Sequence, residues 1–255
     1  MTEPTWGHLQ QEMTAVLAGE PDDIAGVVQQ LTALQDVLKC LPPMYEESPI
    51  ADFNKLYTTI TRRIYDRHQA GDFADSAFLN RLDVEFARRY IDALRRWSTA
   101  DPATPESWRV LFCRVADTRL RSLPCAVTGV NAHINYDLPF ALVATWERLG
   151  HAPDGSRQHH DYLLVNEVFE QEIPGLRRGY LVWWQQHLDR INMGFDDWYQ
   201  NLLVELTRDL AWDRAQKLWR QRSNPTMTER LRTSFDTQTA LVGSALLSPL
   251  CAFLQ

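Results

Sequence analysis

The sequence lacks the cysteine spacing and the basic charge that would identify several protein classes. Its 255 residues include four cysteines, none in a Cys-x-x-Cys pair. Because they lie far apart, a disulfide framework or a structural zinc site is disfavoured, and reduced cytoplasmic thiols are expected. Lys and Arg number 26 against 33 Asp and Glu, a net charge of −7. This balance gives no broad phosphate-binding surface, so we expect no nucleic-acid partner.

Long apolar runs are also missing. The N-terminus, MTEPTWGHLQ, has neither the basic start nor the apolar centre of a secretory signal. The longest apolar stretch, TALVGSALLSPLCAFLQ, is interrupted by Ser244, Ser248 and Pro249. It falls short of the roughly 20 residues that a bilayer span needs. We therefore expect a soluble, cytoplasmic protein without a membrane span, whose apolar C-terminus packs inside or against a partner.

Several catalytic motifs are absent as well. There is no Gly-rich phosphate loop, no Gly-x-Gly-x-x-Gly after a strand and no Gly-x-Ser-x-Gly elbow. His-Glu-x-x-His and the paired Glu-x-x-His motifs of helical di-iron proteins are missing too. Nucleotide-driven, serine-hydrolase and ferritin-type chemistry are therefore unsupported.

Helical periodicity runs through almost all of the chain, whereas strand signals are scarce. No alternating polar and apolar run exceeds about four residues. Asp75 is predicted to cap one helix, and Thr104 the next, with Pro105 at its first position. The helix after Asp75 has an apolar stripe with spacings mostly of three and four, formed by Leu79, Leu82, Phe86, Tyr90, Ala93, Leu94 and Trp97.

This pattern predicts an all-α fold, a single domain of about eight to ten helices. The chain has nine tryptophans, most of which we expect to fill the core between helices. Along the chain we distinguish an N-terminal helical extension (1–45), a central region (50–220) and an apolar C-terminal helix (226–255).

The most unusual stretch is TGVNAHINYDLPFAL, residues 128–142. In a helix, His133 and Asp137 share one side, and Asn131 and Asn135 repeat the same spacing on a neighbouring stripe. The surrounding residues are so apolar that some of these groups are expected inside the protein. Pro139 cannot donate to the carbonyl of Asn135, so that carbonyl should be free and the helix should bend.

Three interpretations of this cluster compete. The first is a structural network in which Asp137 fixes the tautomer of His133 and the asparagines bond neighbouring segments. The second is a site for a divalent metal such as zinc or iron, with His133 and Asp137 as ligands and at least one further ligand. The third is metal-free acid/base catalysis, with His133 as the base and Asp137 orienting it.

Further polar candidates lie on the flanking helices. The helix after the motif follows a short loop, so the pair is predicted to form a hairpin that brings Asp161 or Asn166 near His133. Asp161 is an equally good candidate for a helix cap. Asp83 lies at the fringe of its apolar stripe, and the simplest interpretation is an exposed pair with a neighbouring arginine.

The segment GVNAHINYDLPFAL resembles the hallmark of a bacterial domain-of-unknown-function family of the 5995 type. ADFNKLYTTITRRI and FLNRLDVEFARRYIDALRRW before it, and DYLLVNEVF after it, extend the likeness over residues 50–220. The resemblance implies no activity. It implies that the polar residues of the segment belong to a family hallmark. It also implies accompanying motifs that contain Asp83, Tyr90, Asp161 and Asn166.

A more distant likeness is to the helical phospholipase C and P1 nuclease fold, where a His-x-x-x-Asp pair helps to hold a zinc cluster. Here the match is His133 and Asp137 on an all-helical chain. The ligand-type N-terminal tryptophan of that fold is missing, because Trp6 is internal, and so is the second histidine in a Gly-Asp-x-His-Gln-Pro run. The likeness is an analogy that implies no trinuclear zinc centre.

The leading hypothesis is an intracellular enzyme for a small, largely apolar metabolite, either a metal-dependent hydrolase or a small-molecule tailoring enzyme. Its predicted catalytic residues are His133, Asp137 and Asp161. The predicted substrate-binding residues are Asn131, Asn135, Asn166 and Tyr90. The alternative is a non-catalytic ligand-binding or structural protein in which the motif is a hydrogen-bond network of the core.

Overall fold

A computed structural model describes residues 6–40, 48–115, 117, 120, 122–165, 167–168 and 208–248. The described part of the chain contains no β-strand and is almost wholly helical, so the predicted all-α class is confirmed. The helices with defined bounds are α1 (Trp6–Ala18), α2 (Ile24–Lys39), α3 (Pro49–Ala70), α4 (Ser76–Ser98), α5 (Glu106–Phe112), α6 (Ser122–Ala132), α7 (Leu138–Leu149), α8 (Arg208–Gln221) and α9 (Pro225–Leu246).

A π-helical turn, His133–Asp137, joins α6 to α7 and makes them one continuous helix. Residues 157–165 are helical as well. Every residue from 124 to 142 is buried, so the continuous helix formed by α6, the π-helical turn and α7 lies at the centre of the described part of the chain. α6 packs against α3 and α9, while α7 packs against α4 and α8. The polar motif therefore lies inside the helical shell, as the sequence predicts.

Local signals set several helix ends correctly. Asp75 caps α4 by accepting a hydrogen bond from the N–H of Phe78, which confirms that prediction. Ser48 caps α3 in the same way, and α3 ends at Gly71, whose φ of +80° favours glycine. The short connection 71–75 joins α3 to α4.

The predicted cap of α5 is wrong. The helix begins at Glu106, and the hydroxyl of Thr104 instead donates to the carbonyl of Asp101 at 2.7 Å. Asp236 of α9 caps the helix in place of Thr104. Its two carboxylate oxygens accept hydrogen bonds from the N–H groups of Glu106 and Ser107, at 3.0 and 2.9 Å. A carboxylate at a helix start suits the helix dipole, and here it comes from a distant part of the chain.

The core is rich in aromatic residues, as predicted. Trp108 and Trp146 are fully buried, and Trp212 is buried against Trp146 at a centroid distance of 5.3 Å. α2 adds its apolar face to the same core by packing on α3. None of the helices in the described part combines the length and the hydropathy needed to cross a bilayer.

Candidate functional site

The predicted pair of His133 and Asp137 is present, and Trp108 completes it. Oδ2 of Asp137 lies 2.9 Å from Nδ1 of His133 and 2.9 Å from Nε1 of Trp108. All three side chains are buried. Because an ionised carboxylate only accepts hydrogen bonds, the proton shared with Asp137 belongs on Nδ1. A neutral His133 then carries its lone pair on Nε2.

Aromatic rings surround the imidazole of His133. Phe86 of α4 lies parallel to it, with 3.5 Å between the centroids and 6° between the planes. Tyr57 of α3 meets it edge-on at 4.6 Å. The next rings, at 5.7, 5.9 and 6.2 Å, are those of Phe53, Trp108 and Tyr90. The ring of His133 is therefore held in one orientation by side chains from three other helices.

A cavity of about 50 Å³ lies beside His133, between α3 and α4. Its walls are almost wholly apolar, and the side chains that bring polar atoms to the lining are His133, Asp83 and Tyr57. Small-molecule sites in proteins have this composition, an apolar wall with a few convergent polar groups.

Asp83 lines this cavity and is only 5% exposed, so the interpretation of an exposed ion pair is wrong. Asp83, Phe86 and Tyr90 follow one another at spacings of three and four, which aligns them on the face of α4 that meets His133. This spacing was visible in the sequence. What the sequence did not show is that the fringe of the apolar stripe also faces inward.

The π-helical turn distinguishes the motif from an ordinary helix. The N–H of Leu138 donates to the carbonyl of His133, five residues earlier instead of four. Such single-turn insertions occur frequently at functional sites. Pro139, which has no N–H, follows directly. The irregularity predicted at this proline is present as the π-helical turn.

Arg214 of α8 uses the carbonyl that Pro139 leaves free. Its Nη1 donates to the carbonyl of Asn135 at 2.6 Å, which confirms that this carbonyl is released from the helix. Nη2 donates to Oε1 of Gln238 at 2.9 Å, and the guanidinium lies 4.7 Å from the centroid of the Phe235 ring. Burial lowers the pKa of Arg214. Sequence reasoning missed this residue, because nothing near it in the chain indicates the contact.

Asn131 and Asn135 face away from the cavity. Nδ2 of Asn135 donates to Oδ1 of Asn131 at 3.0 Å, and Nδ2 of Asn131 donates to the carbonyl of Thr239 at 2.9 Å. Both asparagines are buried, and neither lines the cavity. Their contacts join the motif to α9, so their predicted role in binding substrate gains no support from their position.

The side chain of Asp161, from the helical segment 157–165, contacts the backbone just before α4 and not the cavity beside His133. Its Oδ1 and Oδ2 accept hydrogen bonds from the N–H groups of Ala74 and Asp75, at 2.8 and 2.5 Å. Asp161 is fully buried and is not part of the cavity lining. Its predicted catalytic role therefore has no support from this placement. Asn166, the other candidate on this segment, lies outside the described residues.

Tyr90 belongs to the aromatic shell and does not line the cavity. Its predicted contact with substrate therefore gains no support from its position. The side chain is fully buried, and its hydroxyl makes no hydrogen bond to the described part of the chain. Burial raises the pKa of Tyr90 above its ordinary value.

Gly129 of the motif permits a close approach between α6 and α3. A Cβ added at this position would lie 2.3 Å from Cδ2 of Phe53. Phe53 is buried, and its ring centroid lies 5.1 Å from that of Trp108 and 5.7 Å from that of His133. The glycine therefore lets one wall of the aromatic shell form.

The described side chains near His133 do not by themselves form a metal site. Asp137 is bonded to Nδ1 of His133 and to Trp108 through one oxygen. Among the described residues, no three His, Cys, Asp or Glu side chains are grouped to hold an ion. Zinc in proteins normally has three or four protein ligands. A zinc or iron site at His133 and Asp137 would need ligands from outside the described ranges.

One family model matches the chain over most of its length. It is described as "Family of unknown function (DUF5995)" and covers residues 24–249. This range includes α2 through α9 and every residue of the site described above. No curated protein and no solved structure matches the chain.

Proposed function

We propose that this chain, which belongs to the DUF5995 family, is an enzyme that uses metal-free acid/base catalysis on a small, largely apolar metabolite. One observation carries the proposal: His133, which is hydrogen-bonded to the buried Asp137, forms part of the wall of a largely apolar cavity. A histidine oriented by a carboxylate is a common general base in enzymes.

His133 is the base in this proposal. Asp137 holds the proton of His133 on Nδ1, so Nε2 accepts a proton from the substrate, and the carboxylate stabilises the imidazolium that forms. Trp108 fixes Asp137 by its indole hydrogen bond. The apolar lining binds the substrate and excludes bulk water, which strengthens electrostatic interactions inside. General-base catalysis of this kind contributes about 10²- to 10⁴-fold in rate.

The proposed location is the cytoplasm, and the proposed partner is a small-molecule substrate. Cys40, Cys113 and Cys125 are free thiols, which agrees with a reducing compartment. The reaction class is a proton transfer or a hydrolysis by activated water, as in a hydrolase or a small-molecule tailoring enzyme.

To test the proposal, the protein is incubated with a metabolite extract of the cells that produce it, and consumption of each component is measured by mass spectrometry. We expect at least one apolar small molecule to be consumed, and Asp137→Asn to slow its consumption by about 10²- to 10⁴-fold. Asn can still accept from Trp108, so folding should be nearly unaffected. Asp23→Asn is the matched control, because Asp23 caps α2 and Asn caps equally well. Equal rates for Asp137→Asn and the native chain would refute the assignment of this pair.

The second candidate is the structural network, and one observation favours it: Asp137 bonds two other buried side chains within the core. It predicts that no extract component is consumed. It also predicts that His133→Ala lowers the melting temperature by several degrees, since removal of His133 leaves a buried carboxylate with one partner fewer.

A further inference from the structure

Arg214 of α8 brings a buried positive charge to the π-helical turn. The residue is 8% exposed, and both of its hydrogen-bond acceptors are neutral: the carbonyl of Asn135 and the side-chain oxygen of Gln238. In the described part of the chain it forms no ion pair. A buried cation without a carboxylate partner is costly. An apolar side chain of similar size would fill the same volume at a lower cost, so packing alone does not account for an arginine here.

The carbonyl of Asn135 is the group that needs this arginine. It precedes Pro139 by four residues, and proline has no N–H to offer it. The hydrogen bond between this carbonyl and Arg214 is buried. A buried carbonyl without a donor costs about as much free energy as a lost hydrogen bond. A donor that a regular helix takes from its own backbone is therefore supplied here by α8.

Asn135 stands midway between the two members of the proposed catalytic pair. His133 lies two residues before it and Asp137 two residues after it, all within the π-helical turn. The aromatic shell holds the ring of His133, and the indole of Trp108 holds Asp137. Arg214 holds the backbone between them. The relative position of His133 and Asp137 thus depends on a contact that comes from α8.

A π-helical turn needs such an outside contact more than an α-helix does. π-helices are rare and occur mostly as single turns inside α-helices. Here the carbonyl of His133 accepts from the N–H of Leu138, one residue further along than in an α-helix. Because the two patterns differ only in which N–H a carbonyl accepts from, the turn can rearrange while α6 and α7 stay helical.

We propose that Arg214 is a positioning residue. Its hydrogen bond to the carbonyl of Asn135 keeps the π-helical turn in the geometry in which Asp137 bonds Nδ1 of His133. The inference rests on the proposed function, because it concerns the orientation of the proposed base. Arg214 does not line the cavity, so it acts through the turn and not by contact with substrate.

Hydrogen exchange of two indole N–H groups, followed by NMR on the full chain, tests this role. The indole of Trp108 donates to Asp137 at 2.9 Å and reports on the pair. The indole of Trp146 donates to Gln158 at 3.0 Å and is equally buried. Trp146 packs against Trp212 of α8. A general shift of α8 would therefore accelerate exchange at Trp146 too, whereas a loosened π-helical turn accelerates it at Trp108 alone.

Arg214→Met removes the N–H donors and keeps an unbranched side chain. We expect exchange at Trp108 to accelerate about tenfold relative to Trp146, the factor that corresponds to one hydrogen bond to a charged group. The nitrogen-15 signals of the His133 imidazole should move as well, because the bond from Nδ1 to Asp137 weakens. A purely structural role would not single out these signals.

Two further variants of α8 sharpen the comparison. Arg220→Met is the matched control, since Arg220 is exposed and bonds Gln216 of its own helix, and both exchange rates should stay unchanged. Arg214→Lys can still donate to the carbonyl of Asn135 but lacks the fork of a guanidinium, so part of the protection should return. Should Arg214→Met fail to fold, Arg214→Lys serves in its place, with a smaller acceleration at Trp108.

Pro139→Ala tests the cause. It supplies an N–H at the position from which an α-helix would bond the carbonyl of Asn135. With a second donor available, Arg214→Met should accelerate exchange at Trp108 by a smaller factor than in the native background. Equal factors in the two backgrounds would show that Arg214 does not act through this carbonyl and would overturn the inference.

The outcomes keep the two proposals apart. Unchanged exchange at Trp108 in Arg214→Met, or equal acceleration at Trp108 and Trp146, would overturn the positioning role. Where an extract component is converted, Arg214→Met should lower kcat by a larger factor than it changes KM, and a change confined to KM would contradict the inference. If Trp108 responds as expected while no extract component is converted, Arg214 positions the pair and the catalytic proposal alone fails.

Discussion

The substitution Gly129→Ala has two opposite effects on stability at the centre of the site: it improves helix propensity and it creates a steric clash. Gly129 lies inside α6, where alanine is favoured over glycine by roughly 0.5–1 kcal/mol. Against this gain, the added Cβ would lie 2.3, 2.5 and 2.8 Å from three carbon atoms of Phe53. The contact involves a buried ring on another helix, so it cannot be relieved by rotation into solvent.

Overpacking of this kind typically costs about 1–3 kcal/mol. The steric cost therefore exceeds the helix propensity, and we expect Gly129→Ala to destabilise the protein by about 1–2 kcal/mol. For a chain of this size that corresponds to a melting temperature lower by roughly 2–8 °C. Because Phe53 packs against His133, its displacement should also disturb the cavity wall.

Urea unfolding followed by tryptophan fluorescence measures the change. Gly243→Ala is the matched control: it lies inside α9, and the nearest atoms to an added Cβ are at ordinary contact distances of 3.4–3.5 Å. That variant should be neutral or slightly stabilised.

A double-mutant cycle with Phe53→Ala isolates the cause. In the Phe53→Ala background the contacts with Cδ2 and Cγ are gone and the contact with Cβ at 2.8 Å remains. Gly129→Ala should therefore cost less stability there than in the native protein. If Gly129→Ala stabilises the native protein as Gly243→Ala does, the inference that α3 and α6 approach closely at Gly129 is wrong.

Four further predictions concern other parts of the site. Tyr90→Phe should raise stability by about 1 kcal/mol, because it removes a buried hydroxyl that has no hydrogen bond to the described part of the chain; a loss of stability in thermal unfolding would contradict this. Asp161→Ala should lower stability by about 1–3 kcal/mol, as two N–H groups lose their acceptor. At a temperature where this variant is folded, conversion of the extract component should continue, and its loss would restore the catalytic role of Asp161. Burial raises the pKa of Tyr136 to about 12 from an ordinary value of 10. The unfolded chain therefore ionises first, and stability that is complete below pH 10 should be lost between pH 10 and 12. In denaturant titrations this contribution, about 3 kcal/mol at most, should be missing in Tyr136→Phe, which therefore loses less stability over this range than the native chain, while the buried Tyr90 contributes to the loss in both. Metal analysis by mass spectrometry, on protein purified without a chelating tag, should find no stoichiometric zinc or iron that depends on His133. Metal lost in both His133→Ala and Asp137→Ala would instead establish a centre completed from outside the described residues.

Local features of the chain determined the helices and part of the site. The 3.6-residue period, the cap at Asp75 and the four-residue spacing of His133 and Asp137 all act within one or two helical turns. The consequence of Pro139 for the carbonyl of Asn135 is equally local, because a missing N–H frees a definite acceptor. These features could be predicted from the sequence.

Contacts between distant segments could not be predicted this way. Thr104 had the residue type of a cap, yet Asp236 of α9 took that position once α9 packed against α5. The partner of Asp137 is an indole from α5, and both oxygens of Asp161 bond the chain before α4. A residue's type states what it can bond, but the partner depends on which helices meet.

By itself, then, the sequence determined an all-helical chain with a buried His–Asp pair four residues apart. Only the tertiary structure decided that Asp83 faces the same cavity as His133, while Asn131 and Asn135 face α9. The physical reason is that helical period fixes a side chain's direction relative to its own helix, whereas the packing of whole helices fixes what lies in that direction.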